Sequence, residues 1–155
     1  MSLRKLVFIT AFPFLFSAVV YAQTDSRTKT VQIASKPIAQ AVKFSPAYAE
    51  LLLRKTEREA QLEEFILDYT DEFPKVKELK FEIELLQKQL DKVSAVGASD
   101  APKLSLALGK LLVRKTELDV DLWNLLRQYN AEHPEVKRAK RKVEVYEKAI
   151  KEILP

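Results

Sequence analysis

An internal repeat of sixty residues constrains this chain more than any other feature of its sequence. The segment Leu51-Leu-Leu-Arg-Lys-Thr-Glu57 recurs as Leu111-Leu-Val-Arg-Lys-Thr-Glu117. The same offset then pairs Tyr69 with Tyr129 and Pro74 with Pro134, without insertion or deletion. A repeat of this kind indicates one supersecondary unit that is used twice.

The first copy, residues 46–93, predicts an antiparallel helical hairpin. Ser45 and Pro46 are typical of a helix start, because serine caps the free amides and proline suits the first turn. We expect this helix to end near Asp71, since Pro74 disfavours a helical residue before it. The returning helix follows from Pro74, and its apolar residues recur at alternating steps of three and four: Val76, Leu79, Ile83, Leu86, Leu90 and Val93.

The second copy, residues 103–155, predicts a second hairpin after a linker at residues 94–102, where Pro102 is a second start signal. Its returning helix repeats the heptad spacing with Val136, Ala139, Val143, Tyr146, Ile150 and Ile153. The outgoing helices carry a wider apolar stripe, which includes Leu52, Ile66, Leu112 and Leu126. The sequence therefore predicts an all-α fold of two tandem hairpins, arranged as a four-helix bundle or as an elongated coiled coil.

Opposite net charges on the two copies favour their docking, within one chain or between the chains of a homodimer. Residues 47–93 hold eight Lys and Arg against twelve Asp and Glu, a net charge of −4. Residues 106–155 hold eleven against eight, a net charge of +3. Exposed ion pairs contribute little stability, so we use the charges to predict orientation and partner choice.

The N-terminal 22 residues are typical of an export signal. Arg4 and Lys5 precede an almost wholly apolar run, and cleavage is expected after Ala22. An uncleaved anchor is the alternative, and it is the one way in which we expect the chain to touch a membrane. Residues 23–45, which are rich in Thr, Ser, Lys and Gln, predict a flexible basic linker. We therefore predict a secreted or periplasmic protein.

This chain has few of the residues that catalytic sites and metal sites commonly use. It has no cysteine and a single histidine, so one chain cannot assemble a zinc site of the usual Cys/His kind. His133 is matched by Phe73 in the first copy, which favours a role in turn packing over a role as a base. Trp123 is matched by Glu63, and we expect it to be partly buried against the neighbouring hairpin. We predict no cofactor, no metal and no enzymatic activity.

A cluster of five cations near the start of the last helix is the strongest candidate for a binding site. We call it the basic cluster, and it could be simply the solvated outer face of a coiled coil. Alternatively it attracts an acidic polymer, anionic lipid headgroups or the acidic sister hairpin. Nucleic acid is a poor fit, because no aromatic residues interleave these cations. The cluster consists of Lys137, Arg138, Lys140, Arg141 and Lys142.

The two hairpin turns carry a resemblance to a known family. Residues 67–79 and 126–138 contain a Tyr-to-Pro-x-Val pattern similar to the turn of polysaccharide co-polymerases, the chain-length determinants of bacterial envelope polysaccharide export. The resemblance implies a periplasmic coiled-coil hairpin and a structural role for these residues. Flanking membrane helices and a kinase-like segment have no counterpart in this sequence, which also doubles the hairpin. The matching residues are Tyr69, Pro74, Val76, Tyr129, His133, Pro134 and Val136.

These features lead to a hypothesis of function. We expect an exported, non-enzymatic protein that acts as an envelope interaction or assembly module, with a protein or an envelope polysaccharide as its partner. The alternative is a holdase-like periplasmic chaperone whose hairpins hold unfolded clients. An enzyme would need a concave pocket that this pattern does not predict.

Overall fold

The computed structural model describes residues 40–155, and within this range the chain is all helical. The predicted signal segment, its cleavage site at Ala22 and most of the predicted linker lie outside the described residues. Four long helices follow one another, and we number them α1 to α4, with a short 3₁₀ helix at Ala101–Lys103 before the third. They are α1 Pro46–Asp68, α2 Pro74–Ser94, α3 Leu106–Gln128 and α4 Pro134–Ile153. The all-α prediction is confirmed.

The helix starts follow from local capping. Ser45 accepts a hydrogen bond from the amide of Tyr48 at 3.3 Å, and Pro46 is the first residue of α1, as predicted. Ser105 caps α3 in the same way through the amide of Leu108. The second start signal was misplaced, because Pro102 lies in the 3₁₀ helix and α3 begins only at Leu106.

Helix α3 lies at the centre of the molecule. It packs along α4 within the second hairpin, and it also packs against α1 and α2 of the first hairpin. Of the two predicted arrangements, docked hairpins in a bundle-like packing are observed. The apolar core lies where α1, α2 and α3 meet, near their shared end. It contains Val42, Ala47, Leu51, Leu86, Leu90, Val93, Leu104, Leu108 and Leu112.

The predicted apolar stripe is buried unequally in the two hairpins. Leu112 is 5% exposed, whereas its counterpart Leu52 is 44% exposed. Ile66 and Leu126 are also exposed, so the expectation that all four face inward was wrong for three of them. For Leu52 and Ile66 the physical reason is position, because α1 contacts only α2 and α3 closely. Leu126 lies in the last turn of α3, just before the hairpin turn.

A glycine sets the spacing between the hairpins at their shared end. A Cβ atom on Gly109 would lie 2.9 Å from the Cα of Ala47 and from the Cβ of Glu50, which is closer than real Cβ atoms approach. The amide of Ala47 also donates to the carbonyl of Leu104 at 3.2 Å. The two outgoing helices therefore meet backbone to backbone at their first turns.

The last residues of the predicted linker belong to the fold. Residues 40–43 are helical, and Val42 is 1% exposed within the core. The flexible linker was expected to extend to residue 45, whereas residues 40–45 are part of the described fold. Within residues 40–155, no helix is both long enough and apolar enough to cross a membrane.

Candidate binding surface on the second hairpin

The two predicted hairpin turns have almost the same geometry. Tyr69 and Tyr129 end their helices with extended backbones, at φ −128°, ψ 149° and φ −130°, ψ 153°. The ring of Tyr69 stacks on Phe73 with centroids 4.1 Å apart, and that of Tyr129 stacks on His133 at 4.2 Å. The aromatic pair thus closes each turn just before the proline that starts the returning helix.

His133 is a structural residue of its turn. Its Nδ1 accepts a hydrogen bond from the amide of Glu135 at 3.3 Å, so the imidazole caps α4 while its ring stacks on Tyr129. Phe73 keeps the stacking but makes no capping hydrogen bond with its side chain. Val76 and Val136, which follow the two turns, are fully buried. The turn residues thus lie in two separate sites at the same end of the bundle.

The basic cluster lies on α4, directly after the second turn. Lys137 pairs with Glu132 and Arg138 pairs with Glu135, each at 2.7 Å and each on the exposed surface. No carboxylate of residues 40–155 lies within 4.0 Å of the charged atoms of the other three cations, Lys140, Arg141 and Lys142. All five side chains are exposed. The cluster is therefore an open surface with excess positive charge.

A groove of about 500 Å³ runs beside this cluster, between α3 and α4. Leu118, Leu125 and Ala139 form its apolar part, whereas Arg138 and Lys142 lie on its polar rim. The rim also contains acidic and amide side chains, so the groove itself is mixed in charge: Asp121, Asn124, Gln128 and Glu135.

At the equivalent position the first hairpin has an ion pair that the sequence pattern did not predict, and this pair lines a smaller pocket of about 240 Å³. Arg58, the counterpart of Leu118, donates from Nε to Glu82 at 2.7 Å, and Glu82 is only 5% exposed. Arg54 approaches the same carboxylate at 3.7 Å and also donates to Glu117 of α3. The repeat held a clue to this ion pair, because Leu118 and Lys142 of the second copy replace Arg58 and Glu82.

Contacts near the turns complete the junction between the hairpins. Asn124 of α3 donates to Glu78 of α2 at 2.7 Å. Partial burial raises the pKa of the Glu78 carboxyl, but hydrogen bonds from Lys75 and Asn124 more than offset this and hold it below its usual value. Trp123 stacks on Phe81 of α2 with centroids 4.9 Å apart and is partly buried, as predicted.

Comparisons with protein-family models, with curated proteins and with solved structures found no match. Within residues 40–155, no group of three or more histidine, aspartate or glutamate side chains is placed to hold a metal ion. The exposed cations of α4 are the most distinctive chemical feature of this surface.

Proposed function

We propose that this protein is an exported, non-enzymatic envelope interaction or assembly module that binds an acidic polysaccharide through the basic cluster. One observation carries the proposal: Lys140, Arg141 and Lys142 project from α4 with no carboxylate of residues 40–155 within 4.0 Å. The predicted export segment and the resemblance of the hairpin turns to those of polysaccharide co-polymerases support an envelope setting.

The arrangement of charge suits a flexible polyanion. Five cations occupy less than two helical turns, so at 1.5 Å per residue they span roughly 8 Å along the axis. Residues spaced in this way surround more than half of the helix, and a sugar chain with one carboxylate per residue could contact several of them together. Such attraction is long-ranged and falls as salt screens the charges.

Retention on immobilised alginate tests this proposal, with neutral dextran as the control polymer. We expect protein purified after expression of the full chain to bind alginate at low salt and to elute as salt rises. The triple variant Lys140→Glu, Arg141→Glu and Lys142→Glu should weaken binding at least about tenfold, because it reverses the charge of the three cations that lack a carboxylate partner.

A matched variant separates the cluster from net charge. Lys80→Glu, Lys88→Glu and Lys92→Glu make the same change in charge on exposed positions of α2, and they should leave most of the binding intact. Equal retention on dextran, no retention at low salt, or an equal loss in the control variant would contradict the proposal.

The holdase-like chaperone is the second candidate, and one observation favours it. Leu53 and Leu67 on the outer face of α1 are 58% and 84% exposed, which offers apolar surface to an unfolded chain. Suppression of the aggregation of a model client, lost in the double variant Leu53→Ser and Leu67→Ser, is the result expected of this role. A client that aggregates equally with and without the protein would rule it out.

A further inference from the structure

The internal contact between the hairpins provides a template for a contact between chains. Within residues 40–155, three polar or aromatic side-chain pairs join α3 to the first hairpin. They are Glu117 with Arg54, Trp123 with Phe81, and Asn124 with Glu78. Because the two hairpins are copies, each partner in these pairs has a counterpart sixty residues away on the opposite, uncovered side of the molecule.

The counterparts of the α3 residues lie on the outer face of α1. Glu57, Glu63 and Glu64 replace Glu117, Trp123 and Asn124, and all three are exposed. Apolar side chains accompany them, since Leu53 is 58% exposed and Phe44 is 84% exposed. The counterpart of Phe44 is Leu104, which is 2% exposed in the core between the hairpins. We call this surface the α1 outer face.

The counterparts of the first-hairpin residues lie on the second hairpin beside the open groove. Arg114, Arg141 and Arg138 replace Arg54, Phe81 and Glu78, and all three are exposed. Val145, at the next turn of α4, is 63% exposed. We call this surface the groove face. It includes two members of the basic cluster, whereas Lys140 projects from another side of α4.

The two faces are complementary at every one of these positions. The ion pair of Glu117 with Arg54 becomes Glu57 with Arg114. The aromatic stack and the amide hydrogen bond become two further pairs of opposite charge, Glu63 with Arg141 and Glu64 with Arg138. The residue types that differ between the copies are thus complementary between the two surfaces, although these surfaces do not touch within one chain.

The opposite net charges of the hairpins point the same way, although Glu57, Arg114 and Arg138 also pair with neighbours on their own helices. Their net charges are −4 and +3, yet among residues 40–155 a single ion pair, between Arg54 and Glu117, crosses the internal interface. The closest contact of the internal interface is at Gly109, and its counterpart on α1 is Ala49. The contact between chains would therefore have to accommodate one additional methyl group at this point. The long arginine and glutamate side chains can span the slightly wider gap that this methyl group requires.

We infer that the α1 outer face of one chain docks on the groove face of a second copy, and thereby repeats the internal packing of α3 on the first hairpin. The inference goes beyond the proposed function, because it assigns two cations of the basic cluster, Arg138 and Arg141, to contact with a second copy of the chain. Such a contact is heterologous, so repeated contacts close into a ring or extend as an open filament, according to the rotation between neighbouring chains.

Solution mass measured by sedimentation equilibrium on the protein alone tests this inference. We expect a mass above that of the monomer at low salt and dissociation at high salt. Glu63→Arg with Glu64→Arg disables the α1 outer face, and Arg138→Glu with Arg141→Glu disables the groove face. Each double variant should raise the dissociation constant at least about tenfold, without loss of helical circular dichroism.

Mixing the two double variants gives the sharpest result. Their reversed charges are complementary, so an equimolar mixture should associate more strongly than either variant alone. Lys80→Glu with Lys92→Glu changes the charge equally at exposed positions of α2, outside both faces, and should associate like the wild type. A wild-type protein that is monomeric at low salt, or variants that associate as the wild type does, would overturn the inference. Alginate binding by such a monomer would still leave the proposed function standing.

Discussion

The two hairpins are copies in sequence, yet they bury different parts of themselves. Helix α2 is covered by α1 and by α3, whereas α4 packs along α3. Val136 and Ala139 of α4 are buried near the turn, and its C-terminal residues pack against the apolar core that α1, α2 and α3 share. The covered helix carries Phe81 and Glu82 at positions where the open helix carries Arg141 and Lys142. The repeated sequence therefore specifies the caps and turns of each hairpin locally, whereas the neighbours of each hairpin in the bundle determine which of its side chains are buried.

The largest expected changes in stability come from the adjacent residues Leu51 and Leu52 and their counterparts Leu111 and Leu112. The first leucine is the more buried one in the first copy, and the second leucine is the more buried one in the second copy. Leu51 is fully buried and Leu52 is 44% exposed, whereas Leu112 is the buried member in the second copy. Leu51→Ala and Leu112→Ala should each lower the free energy of unfolding by about 3 kcal/mol. Leu52→Ala should cost less than about 1 kcal/mol. Chemical denaturation measures these values, and equal costs at Leu52 and Leu112 would contradict the asymmetry.

The ion pair that distinguishes the first hairpin gives the next prediction. Arg58→Leu introduces the residue of the second copy but leaves Glu82 buried without its closest partner, so we expect a loss of about 2 kcal/mol. Adding Glu82→Leu should recover most of this loss, since both buried charges are then removed. A double-mutant cycle by denaturation measures the coupling, and additive losses would show that the two residues act independently.

A smaller change in the free energy of unfolding is expected at Gly109, where crowding by a new methyl group opposes the gain in helix propensity. Alanine favours a helix over glycine by about 1 kcal/mol. Crowding of a Cβ against Ala47 costs about 2 kcal/mol, so Gly109→Ala should destabilise by about 1 kcal/mol in balance. Gly97 is the control, because a Cβ there meets only Ser99 Oγ at 4.0 Å. An increase in stability for Gly109→Ala would mean that the helices separate without cost.

The smallest effect is a dependence on pH at the junction near the turns. The pKa of Glu78 is lowered in the folded protein, so its ionised form contributes stability above its usual pKa. That contribution is lost as pH falls through the lowered value. Glu78→Gln should therefore be less stable than the wild type at neutral pH, with the two converging in acid. Denaturation midpoints across pH measure this, and a constant difference would exclude the carboxylate as its cause.

Local features could be predicted from the sequence because their causes are local. Ser45 as a cap, Pro74 and Pro134 as starts and the stacked aromatic residues of the turns all depend on neighbours within a few residues. The burial of Leu112 rather than Leu111, and of Glu82 beneath Arg58, depends on the neighbour that each hairpin receives. A heptad pattern alone leaves that neighbour undefined. The start of α3 was misplaced because Ser105, rather than Pro102, supplies the capping oxygen.

Hydrogen exchange tests the difference between the two returning helices most directly. In dilute protein at high salt, where contacts between chains are weakened, amides in the middle of α2 should open only with global unfolding. Amides at residues 138–145 of α4 should exchange at least about tenfold faster, since this helix packs on one neighbour there. Equal protection of the two segments would contradict the account, because it would mean that α4 is as enclosed as α2.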